Sequence, residues 1–444
     1  MTHRSTLTAR DGLCYGLLGL PLAFVALPLY VLLPNHYARE FGVPLATLGW
    51  LLLGARLFDA FIDPLIGRAS DRLFVRSTRA VLAVGAVAAV ALAAGFTGLF
   101  FPATRSPDGL LLWAAAMLLL TYTAYSTLSV SHQAWGAMLG GDEARRSRIV
   151  AWREGLGLVG VVAASVLPLA LGLRATTAIF FGLLALGWLA WRLAPRPAGA
   201  PTAAPAAARI HPLRQPAFRR LLAVFVLNGI ASAVPATLVL FFVQDRLQAP
   251  AQMQPAFLGV YFVCAAAAMP LWLRLVGRIG LARTWLCGMG LAIAVFVWAS
   301  LLGPGQTGAF LLVCALSGAA LGTDLALPGA LLAGLIAAQH PDSLNTNPVS
   351  ARTDSAPTAG PAGAYFGWWN FATKLNLALA AGLALPLLAL FGYSPGSRDP
   401  DALRALSLAY GVLPCGLKLA AAAALAMLVI RPARPSSFQP EPSP

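Results

Sequence analysis

The stretch GARLFDAFIDPLIGRASDR, residues 54–72, places three charged side chains inside an apolar run. At about 100° per residue, Arg56, Asp59 and Asp63 fall within a wedge of about 60° and share one helix face. Each ionised group near the centre of a bilayer costs about 2.5–3.5 kcal/mol. We therefore expect this face to point into a helix bundle or an aqueous cavity. Pro64 removes a backbone donor and so frees the carbonyl oxygen of Ala60 near the carboxylates.

The composition indicates an integral membrane protein. The chain has 444 residues, is 59% hydrophobic and 11% charged, and has a mean hydropathy of +0.75, whereas soluble domains carry about 25% charged residues. Apolar stretches of about 20 residues, each long enough to cross a ~30 Å hydrocarbon core, recur along nearly the whole length. The five cysteines have neither disulfide nor metal-ligand spacing.

Several functional classes are disfavoured by absent motifs. The sequence contains no phosphate-binding G-x-x-x-x-G-K-[ST] loop, no H-E-x-x-H and no G-x-S-x-G. We therefore predict that the protein is not an enzyme or an ATP-driven pump, and that it needs no cofactor.

The hydrophobic pattern predicts an all-α fold of twelve transmembrane helices in two six-helix halves, residues 1–195 and 217–431. The Pro- and Ala-rich stretch 196–216 between them is predicted to be a linker, and residues 432–444 a disordered tail. DPLIGRASDR after the second helix is weakly echoed by MPLWLRLVGR after the eighth; duplicated halves of this kind hold a substrate site between them. The predicted helices are 12–34, 45–68, 78–101, 109–139, 150–173, 175–195, 217–243, 254–277, 280–303, 307–338, 363–391 and 405–430.

The net charge of +15 is explained by basic residues in the loops on one side of the membrane. The predicted loops place 22 of the 31 Lys and Arg residues on one side of the membrane, six on the other and three within helices. Positively charged loops remain cytoplasmic. We therefore expect both termini in the cytoplasm and no nucleic-acid partner. Use of Arg far more than Lys suggests a GC-rich genome and hence a bacterial inner membrane.

The eleventh helix carries the complementary charge. Lys374 lies about 16 Å into this helix, near the bilayer midplane, with Trp369 and Asn370 within the preceding turns. We expect a charge cluster between Lys374 in one half and the carboxylates in the other, with pairing that changes when a cation binds. A purely structural lysine, held by polar groups of its helix, remains the alternative.

Two other helices carry polar candidates. Asp324 follows Gly318 and Gly322, a spacing that lets another helix approach closely; a gating or transport role and a local structural role both remain open. In the fourth helix, three residues are candidates for lining a pathway, although a lone histidine is more often satisfied locally. They are His132, Gln133 and Trp135.

Three segments resemble the glycoside–pentoside–hexuronide:cation symporter group, the melibiose permease-like members of the major facilitator superfamily. ARLFDAFIDPLIGRASDR resembles the signature of its second helix, GDEARRSRIVAWREGLG its fourth loop, and GAYFGWWNFATKLNLAL its eleventh helix. The resemblance implies a cation site at Asp59 and Asp63, able to take Na+ or H+, with Arg56, Arg153 and Lys374 in the surrounding charge network. It also implies a conformational loop motif formed by Gly67, Asp71 and Arg72.

Two acidic residues of the sugar-transporting relatives are missing. The segment GLLGLPLAFVALP in the first helix contains no acidic residue. In the fourth helix, Ser129 lies at about the position where the relatives carry their second acidic residue. Their loss removes acceptors for sugar hydroxyl groups and one cation ligand. A proton needs only a carboxylate of suitable pKa, so it is favoured over Na+ as the coupling ion.

The expected function is cation-coupled symport of a small organic solute, such as a sugar or glycoside, by a monomer that works by alternating access. Two alternatives remain. The substrate could be amphipathic, such as a lysophospholipid, or the protein could be an uncoupled facilitator or a sensor built on a transport fold.

Overall fold

The computed structural model describes residues 7–104, 106–197, 211–338, 362–394 and 396–430. Every regular element in these ranges is helical. Twelve long helices are numbered α1 to α12, and two short 3-10 helices lie at Pro212–Arg214 and Ala251–Met253. The helix α1 is built from four consecutive segments. The bounds are α1 Ala9–Gly16, Gly19–Leu27, Pro28–Leu32 and Leu33–Glu40; α2 Leu45–Arg76; α3 Thr78–Phe100; α4 Pro107–Met138; α5 Glu143–Pro168; α6 Ala170–Leu193; α7 Pro216–Arg246; α8 Gln254–Ile279; α9 Leu281–Ser300; α10 Thr307–Ala338; α11 Gly363–Leu390; and α12 Pro400–Ile430.

Ten of these helices are long and apolar enough to cross a membrane by length and composition. The other two, α2 and α11, have 32 and 28 residues, enough to span a bilayer at 1.5 Å per residue. They carry the intramembrane charges of residues 56–63 and 374. The fold is therefore that of a polytopic all-α membrane protein. The predicted linker, the polar stretch 339–361 and the predicted tail lie wholly or mostly outside the described residues.

Several predicted helix ends need correction. The helix α1 continues to Glu40 rather than ending at residue 34, and α12 begins at Pro400 rather than at residue 405. The loop motif that we expected to turn the chain at residues 67–72 is helical, because α2 continues to Arg76 and ends at the extended residue Ser77. The helix α5 begins at Glu143 rather than at residue 150, since Asp142 caps it by accepting from the N–H of Arg145. Near the start of α6, the φ of +76° at Gly172 interrupts the helical backbone, close to the predicted break between residues 173 and 175.

The two halves, α1–α6 and α7–α12, join at one end of the bundle. We call this the inner end; it is where α2, α4, α8 and α10 finish, and it is the side that the charge distribution predicts to be cytoplasmic. One buried apolar core runs through the N-terminal half and continues into the inner part of the C-terminal half. A second core fills the outer part of the C-terminal half. The shared core means that the halves pack on each other at the inner end.

The outer end of the C-terminal half is held by a loop contact. Asp245, at the end of α7, accepts from the Tyr393 hydroxyl at 2.6 Å and from the N–H of Gly396 at 2.9 Å. Burial and this hydrogen bond raise the pKa of Tyr393. The loop between α11 and α12 is thereby fixed to α7 within the same half.

The contact between α8 and α10 depends on a glycine. A Cβ atom at Gly318 would overlap the carbonyl oxygen of Tyr261. We expect Gly318→Ala to lower the free energy of unfolding by about 1–3 kcal/mol, because the two backbones would have to separate. Gly308→Ala, in the first turn of the same helix with open space around its Cβ position, is the control. Equal thermal stability of the two variants in detergent would contradict this prediction.

Candidate cation and solute site

An intramembrane ion-pair cluster joins the two halves. The Nζ atom of Lys374 on α11 lies 2.6 Å from Oδ1 of Asp59 and 2.8 Å from Oδ2 of Asp63, both on α2. The same ammonium donates to the hydroxyl of Ser126 on α4 at 2.8 Å, and this hydroxyl donates to Oδ1 of Asp59 at 3.0 Å. The cluster therefore links a lysine of the C-terminal half to three residues of the N-terminal half.

The cluster contains more carboxylates than ammonium groups. Both carboxylates are buried, Asp63 completely. Among the described residues, Oδ1 of Asp63 has no hydrogen-bond partner, and its Oδ2 meets Lys374 without the alignment of a hydrogen bond. Two carboxylates share one ammonium group. Arg56, one turn before Asp59 on α2, has an electrostatic interaction with Asp59. A buried carboxylate oxygen without a partner is costly, so this oxygen is suited to receive a proton or a small cation.

Close packing of α2 against α11 sets the depth of the cluster. A Cβ atom at Gly67 would overlap the carbonyl oxygen of Gly363, and a Cβ atom at Gly363 would overlap that of Gly67. One turn further in from the inner end, a Cβ atom at Gly367 would lie 2.5 Å from the carbonyl oxygen of Asp63. The glycines let the two backbones touch, and this contact places Lys374 opposite the carboxylates.

A small pocket lies beside the cluster. It is lined by Asp59, three aliphatic residues of α1 and two tyrosines of α4. Since α1 contributes no acid here, the wall that faces Asp59 is apolar. The residues of this pocket other than Asp59 are Val25, Ala26, Leu29, Tyr122 and Tyr125.

A second buried ion pair lies wholly in the C-terminal half. The Nζ atom of Lys418 on α12 is 2.9 Å from Oδ2 of Asp324 on α10 and 2.8 Å from Oδ1 of Asn228 on α7. Asp324 also accepts from the Ser232 hydroxyl and from the indole N–H of Trp285 on α9. Each charge in this pair has hydrogen-bond partners, and the group connects four helices of one half.

His132 and Trp135 are buried among side chains of the N-terminal half. His132 is completely buried against the rings of Tyr15 and Trp191. Its Nε2 donates to the carbonyl oxygen of Tyr15 at 2.7 Å, since a carbonyl can only accept. Trp135 is also buried, and its indole N–H donates to the carbonyl oxygen of Pro195.

The remaining candidate residues, Gln133, Arg153, Trp369 and Asn370, lie on α4, α5 and α11. Arg153 and Gln133 line a small cavity between the halves on the inner side. Arg153 is paired with the neighbouring Glu154. Trp369 stacks on Phe225 of α7 with ring centroids 3.8 Å apart. Asn370 is half-buried on α11.

The loop-motif residues close the inner end. Asp71 on α2 accepts from the backbone N–H groups of Gly363 at 2.6 Å and Ala364 at 2.9 Å. These N–H groups begin α11 and have no acceptor within their own helix. A carboxylate at a helix N-terminus is also favoured by the helix dipole. Arg72 is exposed at the same surface.

Sequence reasoning missed the polar partners. Ser126 lies on the helix next to Asp59 and is one of many hydroxyl residues in α4, so nothing in its local sequence distinguishes it. Lys418 stood out as an intramembrane lysine, but its partner Asp324 is 94 residues away. A search for pairs of opposite intramembrane charges would have suggested this pairing.

Comparison with proteins of known structure places the fold. A bacterial homologue of the iron transporter ferroportin in an outward-facing state has a TM-score of 0.66 at 16% identity, over 93% of this chain and 98% of that one. The Escherichia coli fucose:proton symporter FucP has a TM-score of 0.62 at 15% identity, over 92% and 98%. The human organic anion transporter TETRAN has a TM-score of 0.63 at 17% identity, over 94% and 100%. At 15–17% identity these likenesses establish the fold alone, that of a polytopic all-α membrane protein.

The family follows from the sequence. The model of the MFS/sugar transport protein family matches residues 14–431, and the chain belongs to this family. Among curated proteins, it is 29% identical over 167 residues to YagG of Escherichia coli strain K12, which carries the name of a glycoside/cation symporter. That match covers 37% of this chain and about a third of the relative, 36%.

Proposed function

We propose that the protein is a cation-coupled secondary transporter of a small organic solute, a sugar or glycoside, that works by alternating access. The observation that carries the proposal is the insertion of Lys374 from one half between Asp59 and Asp63 of the other. A coupling ion that binds these carboxylates competes with Lys374, and therefore with a contact that holds the halves together. Ion binding then biases the equilibrium between closed and open inner ends.

We propose a proton as the coupling ion. Oδ1 of Asp59, the backbone oxygen of Asp59 and the hydroxyl of Ser126 are all engaged with Lys374. A proton needs one carboxylate oxygen, which Asp63 offers, whereas a metal cation such as Na+ needs several oxygen ligands at once. The family membership and the name of the matched relative support glycosides as the solute class.

The solute pathway in this proposal runs along the interface between the halves. Arg153, Gln133, Trp369 and Asn370 would line it. We further propose that the transporter is a monomer of a bacterial inner membrane with both termini in the cytoplasm, as the charge distribution predicts.

An amphipathic substrate is the second candidate. The apolar wall of the pocket beside Asp59 favours a solute with an apolar part, such as an alkyl glycoside or a lysophospholipid. Both classes therefore belong in the substrate panel.

The test is uptake of a solute panel into proteoliposomes under imposed proton or Na+ gradients. We expect a proton gradient to drive accumulation of at least one glycoside, and Asp59→Asn and Asp63→Asn to abolish accumulation while solute exchange persists. Asp401→Asn, an exposed acid in the first turn of α12, should behave like the parent protein. Transport that neither gradient stimulates would refute symport and favour a facilitator.

A further inference from the structure

The first turn of α5 makes a contact with the other half of the molecule. The backbone N–H of Leu281, the first residue of α9, donates to Oε2 of Glu143 at 2.9 Å. This N–H has no acceptor within its own helix. Gly280, with a φ of +84°, precedes α9 and brings the chain close enough that a Cβ atom there would lie 3.2 Å from the same oxygen.

This contact joins a different pair of helices from the contact made by Asp71. Asp71 joins α2 to α11, whereas Glu143 joins α5 to α9. The helix α5 also contacts α10 of the other half. Val150 lies 3.5 Å from the Cβ position of Gly329, and Arg146 lies 3.0 Å from that of Gly334. The inner end is thus closed along two separate lines, each with one carboxylate of the N-terminal half at the N-terminus of a C-terminal-half helix.

We propose that Glu143 is a second latch of the inner end, which holds the closed state independently of Asp71. The proposal rests on the alternating access of the proposed function, in which the inner end must open. Opening separates α5 from α9, so the charge-assisted hydrogen bond and the favourable interaction with the α9 dipole exist in the closed state alone. An interaction present in one state shifts the population toward that state. Removing it must favour the open inner end.

The side chain at position 333 offers a direct readout. Ala333 on α10 lines the small cavity between the halves, together with Arg153 and Gln133, and is 3% exposed. In a variant without the five native cysteines, Ala333→Cys should react slowly with a maleimide in the closed state and quickly when the inner end opens. Purified protein in detergent serves for this measurement, which needs neither a solute nor a known membrane orientation.

We expect Glu143→Ala to raise the labelling rate of Ala333→Cys about fivefold, the effect of about 1 kcal/mol on a two-state population. Glu143→Gln keeps a carbonyl acceptor but loses the charge, so its rate should be intermediate. Asp142→Asn removes a charge from the neighbouring residue and keeps a good N-cap for α5, so its rate should match the parent. Combining Glu143→Ala with Asp71→Ala should multiply the two single effects, because the two contacts are separate.

An unchanged rate in Glu143→Ala, while Asp71→Ala labels faster, overturns the proposal. An equal increase in Asp142→Asn also overturns it, because the cause would then be net charge. If Glu143→Ala does not fold, Glu143→Gln decides the question by the same comparison. Failure of every gradient in the uptake assay would refute symport and leave the labelling result standing, so the two proposals fail separately.

Discussion

Lys374→Met is expected to abolish gradient-driven transport and to lower the free energy of unfolding by about 3–5 kcal/mol. The substitution keeps the length of the side chain but leaves Asp59 and Asp63 as buried carboxylates without their ammonium partner, and breaking one side of a buried ion pair has this magnitude. Thermal unfolding in detergent and uptake into proteoliposomes measure the two effects. A Lys374→Met protein that accumulates solute at the parental rate would refute the role of the cluster in coupling.

The double variant Lys374→Met/Asp63→Asn separates stability from function. It restores the net charge of the cluster, so we expect it to recover much of the lost stability. It should still not accumulate solute, because the contact that ion binding is proposed to release is gone. Recovery of both properties would mean that the cluster needs only its net charge.

Lys418→Met is expected to cost a similar 3–5 kcal/mol, since it leaves Asp324 partly buried without its counter-ion. The double variant Lys418→Met/Asp324→Asn should regain most of that stability and keep gradient-driven accumulation. The physical reason is that the partners of this pair lie in α7, α9, α10 and α12, all within the C-terminal half, so opening of the inner end in the proposed mechanism need not break the pair.

The two lysines form a matched comparison, as both are intramembrane ammonium groups paired with aspartate. We expect loss of coupling at Lys374 and retention of coupling at Lys418 once its charge is balanced. If the Lys418→Met/Asp324→Asn protein folds but no longer accumulates solute, the second ion pair also takes part in transport. Uptake and thermal unfolding of the four variants, measured side by side, distinguish these outcomes.

Much of the fold could be predicted from hydrophobicity and charge. Spans long enough for a bilayer, the two six-helix halves and the buried face of α2 all follow from local patterns, because lipid selects apolar helices and penalises exposed charge. The depth of Lys374 in α11 likewise follows from counting residues at 1.5 Å each. The helix ends were less predictable, since α2 and α5 extend beyond the apolar core as polar, capped turns.

The contacts between helices could not be read from the chain. Ser126 completes the Lys374 cluster, and Glu143 reaches the first N–H of α9 across 138 residues of sequence. Each partner is an ordinary polar residue until another helix brings its counterpart within hydrogen-bond distance. Asp324 shows the same limit, because its local sequence left a transport role and a structural role open and did not indicate its partner Lys418 in α12.

The sequence by itself determined that this is a twelve-helix membrane protein with two carboxylates and an arginine on one inward face and a lysine in the opposite half. That much is local, because the bilayer acts on each segment separately through its hydropathy and charge. The tertiary structure alone decided that Lys374 enters between Asp59 and Asp63, that Lys418 instead pairs within its own half, and that Asp71 and Glu143 close the inner end. These pairings depend on helix approach at glycines and on distances of about 3 Å, which arise when segments far apart in sequence pack together.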